Sequence, residues 1–164
     1  MTEERLQIWT DGACAKNGNG GWAFILHHPS NPFFRQECNG PVASTTSQRM
    51  ELTALLMALQ FMQQGWQQCP YKISIHTDSS YLKNCFTQGW HRTWKSNGWV
   101  NSKGNPVANQ DLWELLIPLV AIRNPKWIKV KGHRGIELNE RCDQLAVAAR
   151  KSLETSMKEE MGIQ

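Results

Sequence analysis

Four carboxylates stand where solubility alone would not place them. Asp11 ends the alternating segment Leu6-Gln7-Ile8-Trp9-Thr10, and Asp78 ends a second one, Tyr71-Lys72-Ile73-Ser74-Ile75-His76-Thr77. Glu51 leads the 51-55-58-62 row of a helical pattern, above Leu55, Ala58 and Met62. Asp143 borders the apolar stripe of the last helical pattern, beside Cys142 and Ala146. Each has an ordinary reading when taken alone. A strand-end Asp followed by Gly is commonly a turn, and a Glu in the first turns of a helix complements its dipole. The row led by Glu51 points inward, however, where an unpaired charge is costly. Four converging carboxylates would repel one another and raise each other's pKa values, and a divalent cation resolves that repulsion. All-oxygen ligation favours Mg²⁺ or Mn²⁺ over zinc. Two such ions about 4 Å apart can activate a water and stabilise the leaving oxygen of a phosphodiester.

The elements that must position these acids follow from periodicity. Leu6–Asp11 reads as a strand, and the cluster Asn17-Gly18-Asn19-Gly20-Gly21 reads as a turn. Trp22–His27 and a stretch around Phe34–Asn39, separated by Pro29 and Pro32, read as two more strands. Three strands so close in sequence are expected to pair antiparallel. Ser44-Thr45-Thr46-Ser47 offers capping residues for a helix whose stripe is Leu52, Leu55, Leu56, Leu59 and Met62, with Gly65 as its stop. A fourth strand ends at Asp78. A helical crossover between strands makes parallel neighbours, so Asp11 and Asp78 are expected side by side at the sheet edge where such folds keep their ligands. A helix follows from near Ser79, an irregular Trp-, Gly- and Asn-rich stretch over 88–109, a helix over 110–122, a short strand Trp127–Val130, and a last helix faced by Leu138, Cys142, Leu145, Ala146 and Ala149. Residues 1–154 are expected to form one α/β domain, a five-stranded mixed sheet flanked by helices. Residues 155–164 form a polar tail expected to fray.

Composition narrows the class. The chain has 164 residues, 40% apolar and 20% charged, which suits a single globular domain. The apolar stretch Leu115–Ile122 is broken by Pro118 and is far shorter than the ~20 residues of a membrane span. The polar Met-Thr-Glu-Glu-Arg start has no apolar signal core. A cytoplasmic protein with no membrane partner is expected. The five cysteines form no Cys-x-x-Cys pair, so free thiols are expected rather than a zinc site. The net charge of +4 conceals an asymmetry: residues 79–136 hold nine Lys and Arg against Asp111 and Glu114. That basic middle, interleaved with Trp90, Trp94, Trp99, Trp113 and Trp127, fits an anionic polymer as partner.

Six segments then occur in order: Thr10-Asp11-Gly12-Ala13-Cys14, Gln48-Arg49-Met50-Glu51-Leu52, Thr77-Asp78-Ser79, Gln88-Gly89-Trp90 with Trp94-Lys95-Ser96-Asn97-Gly98-Trp99, Val130-Lys131-Gly132-His133, and Asn139-Glu140-Arg141-Cys142-Asp143-Gln144-Leu145-Ala146. Together they resemble the type 1 ribonuclease H family, over roughly residues 5–150. The resemblance implies a ribonuclease H-like fold and hydrolysis of the RNA strand of RNA–DNA hybrids with Mg²⁺, or Mn²⁺. It implies Asp11, Glu51, Asp78 and Asp143 as metal-binding catalytic carboxylates, and His133 as a mobile histidine that shuttles protons or helps product leave. It further implies contacts to RNA 2′-hydroxyls near Gly12, Cys14, Asn17 and Gln48, the group that separates RNA from DNA. Thr46 and Asn109 match a DNA-phosphate pocket, and Trp90, Trp94 and Trp99 a handle for the DNA strand.

Departures from the family pattern are specific. Ser44 stands where some members have an arginine, and Ser80 where several have a larger side chain. Between Trp90 and Asn109 only Arg92, Lys95 and Lys103 are basic. Trp90 and Trp94 are also spaced i, i+4, which suits helix packing as well as stacking. Two other functions compete: another nuclease of the same superfold, such as a junction resolvase, and a non-catalytic hybrid-binding module. The Trp handle and Gly-His loop disfavour the first, and the four retained acids disfavour the second. No Gly-x-x-x-x-Gly-Lys-Ser/Thr loop supports nucleotide hydrolysis. A monomer that needs no protein partner is expected.

Overall fold

The computed structural model describes residues 4–65, 69–131 and 136–162. Three strands come first: β1 (Leu6–Cys14), β2 (Gly20–His28) and β3 (Asn31–Val42). They are followed by α1 (Ser47–Gly65), β4 (Ile73–Thr77), α2 (Ser80–Thr87), α3 (Trp90–Asn97), α4 (Gln110–Arg123), β5 (Lys126–Lys129) and α5 (Glu137–Glu160). The sheet order is β3-β2-β1-β4-β5. β1 and β2, like β2 and β3, pair antiparallel, whereas β1–β4 and β4–β5 are parallel. The mixed α/β sheet and the parallel pairing across α1 therefore match the sequence expectation.

Alternation along the strands builds two cores. Leu6, Ile8, Phe24, Leu26, Ile73 and Ile75 face α1 and α4, where they meet Leu55, Leu59, Met62, Trp113 and Leu116. Trp9, Ala23 and Ile25 face the other way and pack on Cys142 and Ala146 of α5. Each fully buried aliphatic chain contributes about 1.5–3 kcal/mol, so both helices are held firmly against β1.

Several elements differ in extent from the sequence reading: β1 runs on through Asp11 to Cys14, β2 spans Gly20–His28, and β4 is shortened to Ile73–Thr77. β3 runs from Asn31 to Val42 rather than around Phe34–Asn39, because an edge strand that is largely exposed carries little apolar alternation and tolerates Pro32 and Pro41. The irregular stretch contains a helix, α3, bounded by Gly89 and Gly98 with φ of 72° and 80°. β5 starts one residue earlier than Trp127. α5 continues through Glu160 instead of fraying after 154, although its residues from 155 on are exposed. Glu, Lys and Met favour helix there, and Arg150 and Glu154 form an i,i+4 ion pair at 3.5 Å.

Two glycines let helices rest directly on the sheet. A Cβ on Gly12 would lie 2.6 Å from the Glu51 backbone nitrogen, and one on Gly21 would lie 2.1 Å from the Ala146 carbonyl oxygen. Gly21→Ala must push α5 off β2, with an overpacking cost of about 1–3 kcal/mol. Urea unfolding is expected to show that loss as a lower midpoint at an unchanged slope; a parental midpoint would contradict the contact.

Candidate active site

The register Trp9↔His76 between β1 and β4 brings Asp11 and Asp78, two residues further on, to the same end of the sheet. α1 crosses directly above at Gly12 and delivers Glu51. One carboxylate oxygen from each of Asp11, Glu51 and Asp78 lies within 4.8 Å of the other two. Asp143, on α5, stands outside that tight group, yet its charge still helps to raise the pKa of Asp11.

The electrostatics are strained as expected for a cation site. Asp11, only 5% exposed, is pushed up to about 7 by burial first and then by Asp78 and Asp143, while the Gly12 N–H, donating to its Oδ1 at 2.8 Å, pulls it down. Glu51 is held well above the carboxylate range by burial and by Asp11 and Asp78. Its Oε2 is buried and has no hydrogen-bond partner among the described residues. An orphaned carboxylate oxygen beside two more acids fits a hard divalent cation. Beneath the acids, Trp9 stacks on His76 with ring centroids 4.2 Å apart. Burial lowers the His76 pKa to about 4, so the ring is neutral, and its Nε2 meets Ser74 Oγ at 3.0 Å.

The other expected residues are each held by local contacts. The Arg49 backbone N–H donates to Thr46 Oγ1 at 3.2 Å, and its Nη1 donates to Asn109 Oδ1 at 3.2 Å. Both guanidinium ends also hold Asp111, at 3.0 and 2.8 Å. The Arg49 guanidinium thus ties the start of α1, which Thr46 caps, to Asn109 and Asp111 at the start of α4, a role sequence reasoning missed because those partners are some 60 residues away. Cys14 Sγ donates to the Thr45 carbonyl at 3.4 Å, and Asn17 Oδ1 caps the Asn19 N–H at 3.0 Å. Gln48, Trp90, Thr93 and Asn97 line a cleft of about 480 Å³. Trp90 and Trp94 line the same cleft; Trp94 is 7% exposed and also packs on Trp113 with centroids 5.4 Å apart, whereas Trp90 is half-buried. Lys129, not anticipated, donates from Nζ to the Asp78 carbonyl and Ser80 Oγ, each at 2.6 Å. His133 lies outside the described residues.

The ribonuclease H family model matches residues 3–151. The chain belongs to the ribonuclease H family. A ribonuclease H from Syntrophomonas wolfei is 47% identical over 152 residues, covering 92% of this chain and 99% of that one. One from Symbiobacterium thermophilum is 45% identical over 143 residues, covering 87% and 92%. Among solved structures, the LC9 RNase H1, described as a type 1 RNase H with the type 2 active-site motif, superposes with a TM-score of 0.73 at 24% identity, covering 93% of this chain and 74% of that one. The foamy viral protease–reverse transcriptase in complex with dsDNA gives 0.76 at 19% identity, covering 92% and 96%. These likenesses show the ribonuclease H fold.

The carboxylates give a pH signature with a definite sign. Because Asp11 holds its proton to a higher pH when folded than its ordinary 3.8, the folded state binds more protons across that window. The metal-free protein therefore loses this contribution as pH rises from about 4 to about 7. Asp11→Asn should remove its share of that slope and raise the metal-free melting temperature near neutrality. The same variant should lose activity roughly a thousandfold or more, at about 1.36 kcal/mol per tenfold. Thermal melts across that pH window and single-turnover assays check both; near-normal cleavage by Asp11→Asn would sink the metal-centre reading.

Proposed function

We propose that this chain is an endoribonuclease that hydrolyses the RNA strand of RNA–DNA hybrids, with Mg²⁺, or Mn²⁺ in its place, held by Asp11, Glu51, Asp78 and Asp143. The observation that carries it is the convergence of three acids from three separate elements within 4.8 Å, one with an orphaned buried oxygen. When bound, divalent ions supply a nucleophile at neutral pH and stabilise the leaving oxygen. The protein's part is positional. Parallel β1 and β4 fix the spacing of Asp11 and Asp78, Gly12 seats α1 so that Glu51 closes the group, and α5 adds the charge of Asp143. The stacked Trp9–His76 pair, with its imidazole held neutral, adds no charge beside the acids.

Substrate contacts divide by strand. Gly12, Cys14, Asn17 and Gln48 lie toward the RNA 2′-hydroxyls. Thr46 and Asn109, both hydrogen-bonded to Arg49, take a DNA phosphate. Trp90 and Trp94 offer the cleft their aromatic faces, and Trp94 also anchors α3 by packing on Trp113. His133 moves protons or assists product release. The protein acts as a cytoplasmic monomer. Among the described residues, no helix is long and apolar enough to cross a membrane.

A gel comparing RNA–DNA hybrid, RNA duplex, DNA duplex and single-stranded RNA tests the reading. Only the RNA of the hybrid should be cut, and only with Mg²⁺ or Mn²⁺; cleavage in excess chelator, or of DNA junctions, would overturn it. In the same assay His133→Ala should lower turnover by about 10²–10⁴ at most, less than Asp78→Asn. Equal inactivity of the two would give His133 a more direct part.

A further inference from the structure

We infer that Lys129 is a substrate-contacting residue that holds a phosphate of the cut strand beside the carboxylate cluster. The inference rests on the hybrid-hydrolysis reading and deepens it. β5 pairs with β4 in the register Thr77↔Lys129, which sets Lys129 level with the residue before Asp78, at the end of the sheet where the acids gather. The residue is exposed. An exposed lysine ordinarily leaves its strongly hydrated ammonium in water on a freely rotating stem. Here the head is turned back onto the β4–α2 turn, where it donates to the Asp78 carbonyl and to Ser80 Oγ at 2.6 Å each. The short Ser80 side chain leaves room for it. An ammonium has three N–H donors; these two bonds leave one for a further acceptor.

The charge at this spot points to an anion. A fixed cation next to a site that gathers divalent ions does not help those ions to bind. It does complement the phosphates flanking a bond placed over Asp78. Lys131, also exposed and two residues further along, continues the positive strip. Lys129→Met removes the charge and both charge-assisted hydrogen bonds together, so the salt dependence of binding, which a structural brace would leave unchanged, separates the two roles.

The test measures hybrid binding across a salt series in Mg²⁺, with Lys129→Met and Lys129→Arg compared in an Asp11→Asn background that suppresses turnover. Lys129→Met should weaken binding about tenfold at low salt and reduce the slope of log affinity against log salt by about 0.7–0.9, whereas Lys129→Arg retains the slope. With active protein, Lys129→Met should raise KM and leave kcat and Mg²⁺ dependence near parental. An unchanged salt slope, or a loss confined to kcat and Mg²⁺ affinity, would overturn the assignment and leave Lys129 as a brace for Asp78. Parental cleavage of the hybrid tests the functional reading alone, and the binding comparison does not depend on turnover.

Discussion

Like charges crowded into a poorly hydrated corner dominate this molecule's design. Asp78 repels Asp11 and Glu51, and those two repel each other, while burial raises the energy of the ionised forms of Asp11 and Glu51. None could hold this place on a flexible loop. Asp11 sits on the central strand with helices packed on both of its faces, Asp78 follows the parallel strand beside it, and Glu51 is on a helix seated against a glycine. The two apolar cores are therefore more than stabilising ballast. They supply the free energy that keeps the acids together until a cation relieves them.

The same constraint explains which parts of the fold could be read from residue order. Asp11 and Asp78 were visible because each closes a run of unmistakable alternation, although β1 itself continues through Asp11 to Cys14. Glu51 was visible because a charge leading an apolar helical row is anomalous. α3 was not visible: eight residues between two left-handed glycines, carrying one buried tryptophan, make too short a pattern. β3 was only half visible, since an exposed edge carries little hydrophobic periodicity. The extension of α5 was missed because residues 155–160 bury no apolar stripe, so only their intrinsic propensity favours helix.

Around the site, the division is between groups that announce themselves and groups recruited by distance in space. Thr46 and Asn109 were anticipated as a pair from a family pattern, but the arginine that ties the start of α1 to Asn109 was not, because its partners belong to another helix. Lys129 was hidden for a related reason. One lysine among many in a basic segment has no distinguishing neighbour in sequence, and its meaning comes from the turn it reaches after β4. Trp94 combines the two roles that its i, i+4 spacing from Trp90 allowed: it packs on Trp113 and Trp99 and also lines the cleft.

The position of α5 has a consequence for how the protein comes to life. Asp143 is carried by the last helix in the order of elements, and Gly21 accepts that helix only when it docks directly on β2. A chain still being synthesised presents β1, α1 and β4 long before this helix exists. It therefore bears three acids with one face of their central strand uncovered and the fourth acid missing. The full arrangement of four acids exists only after the last of these elements has docked.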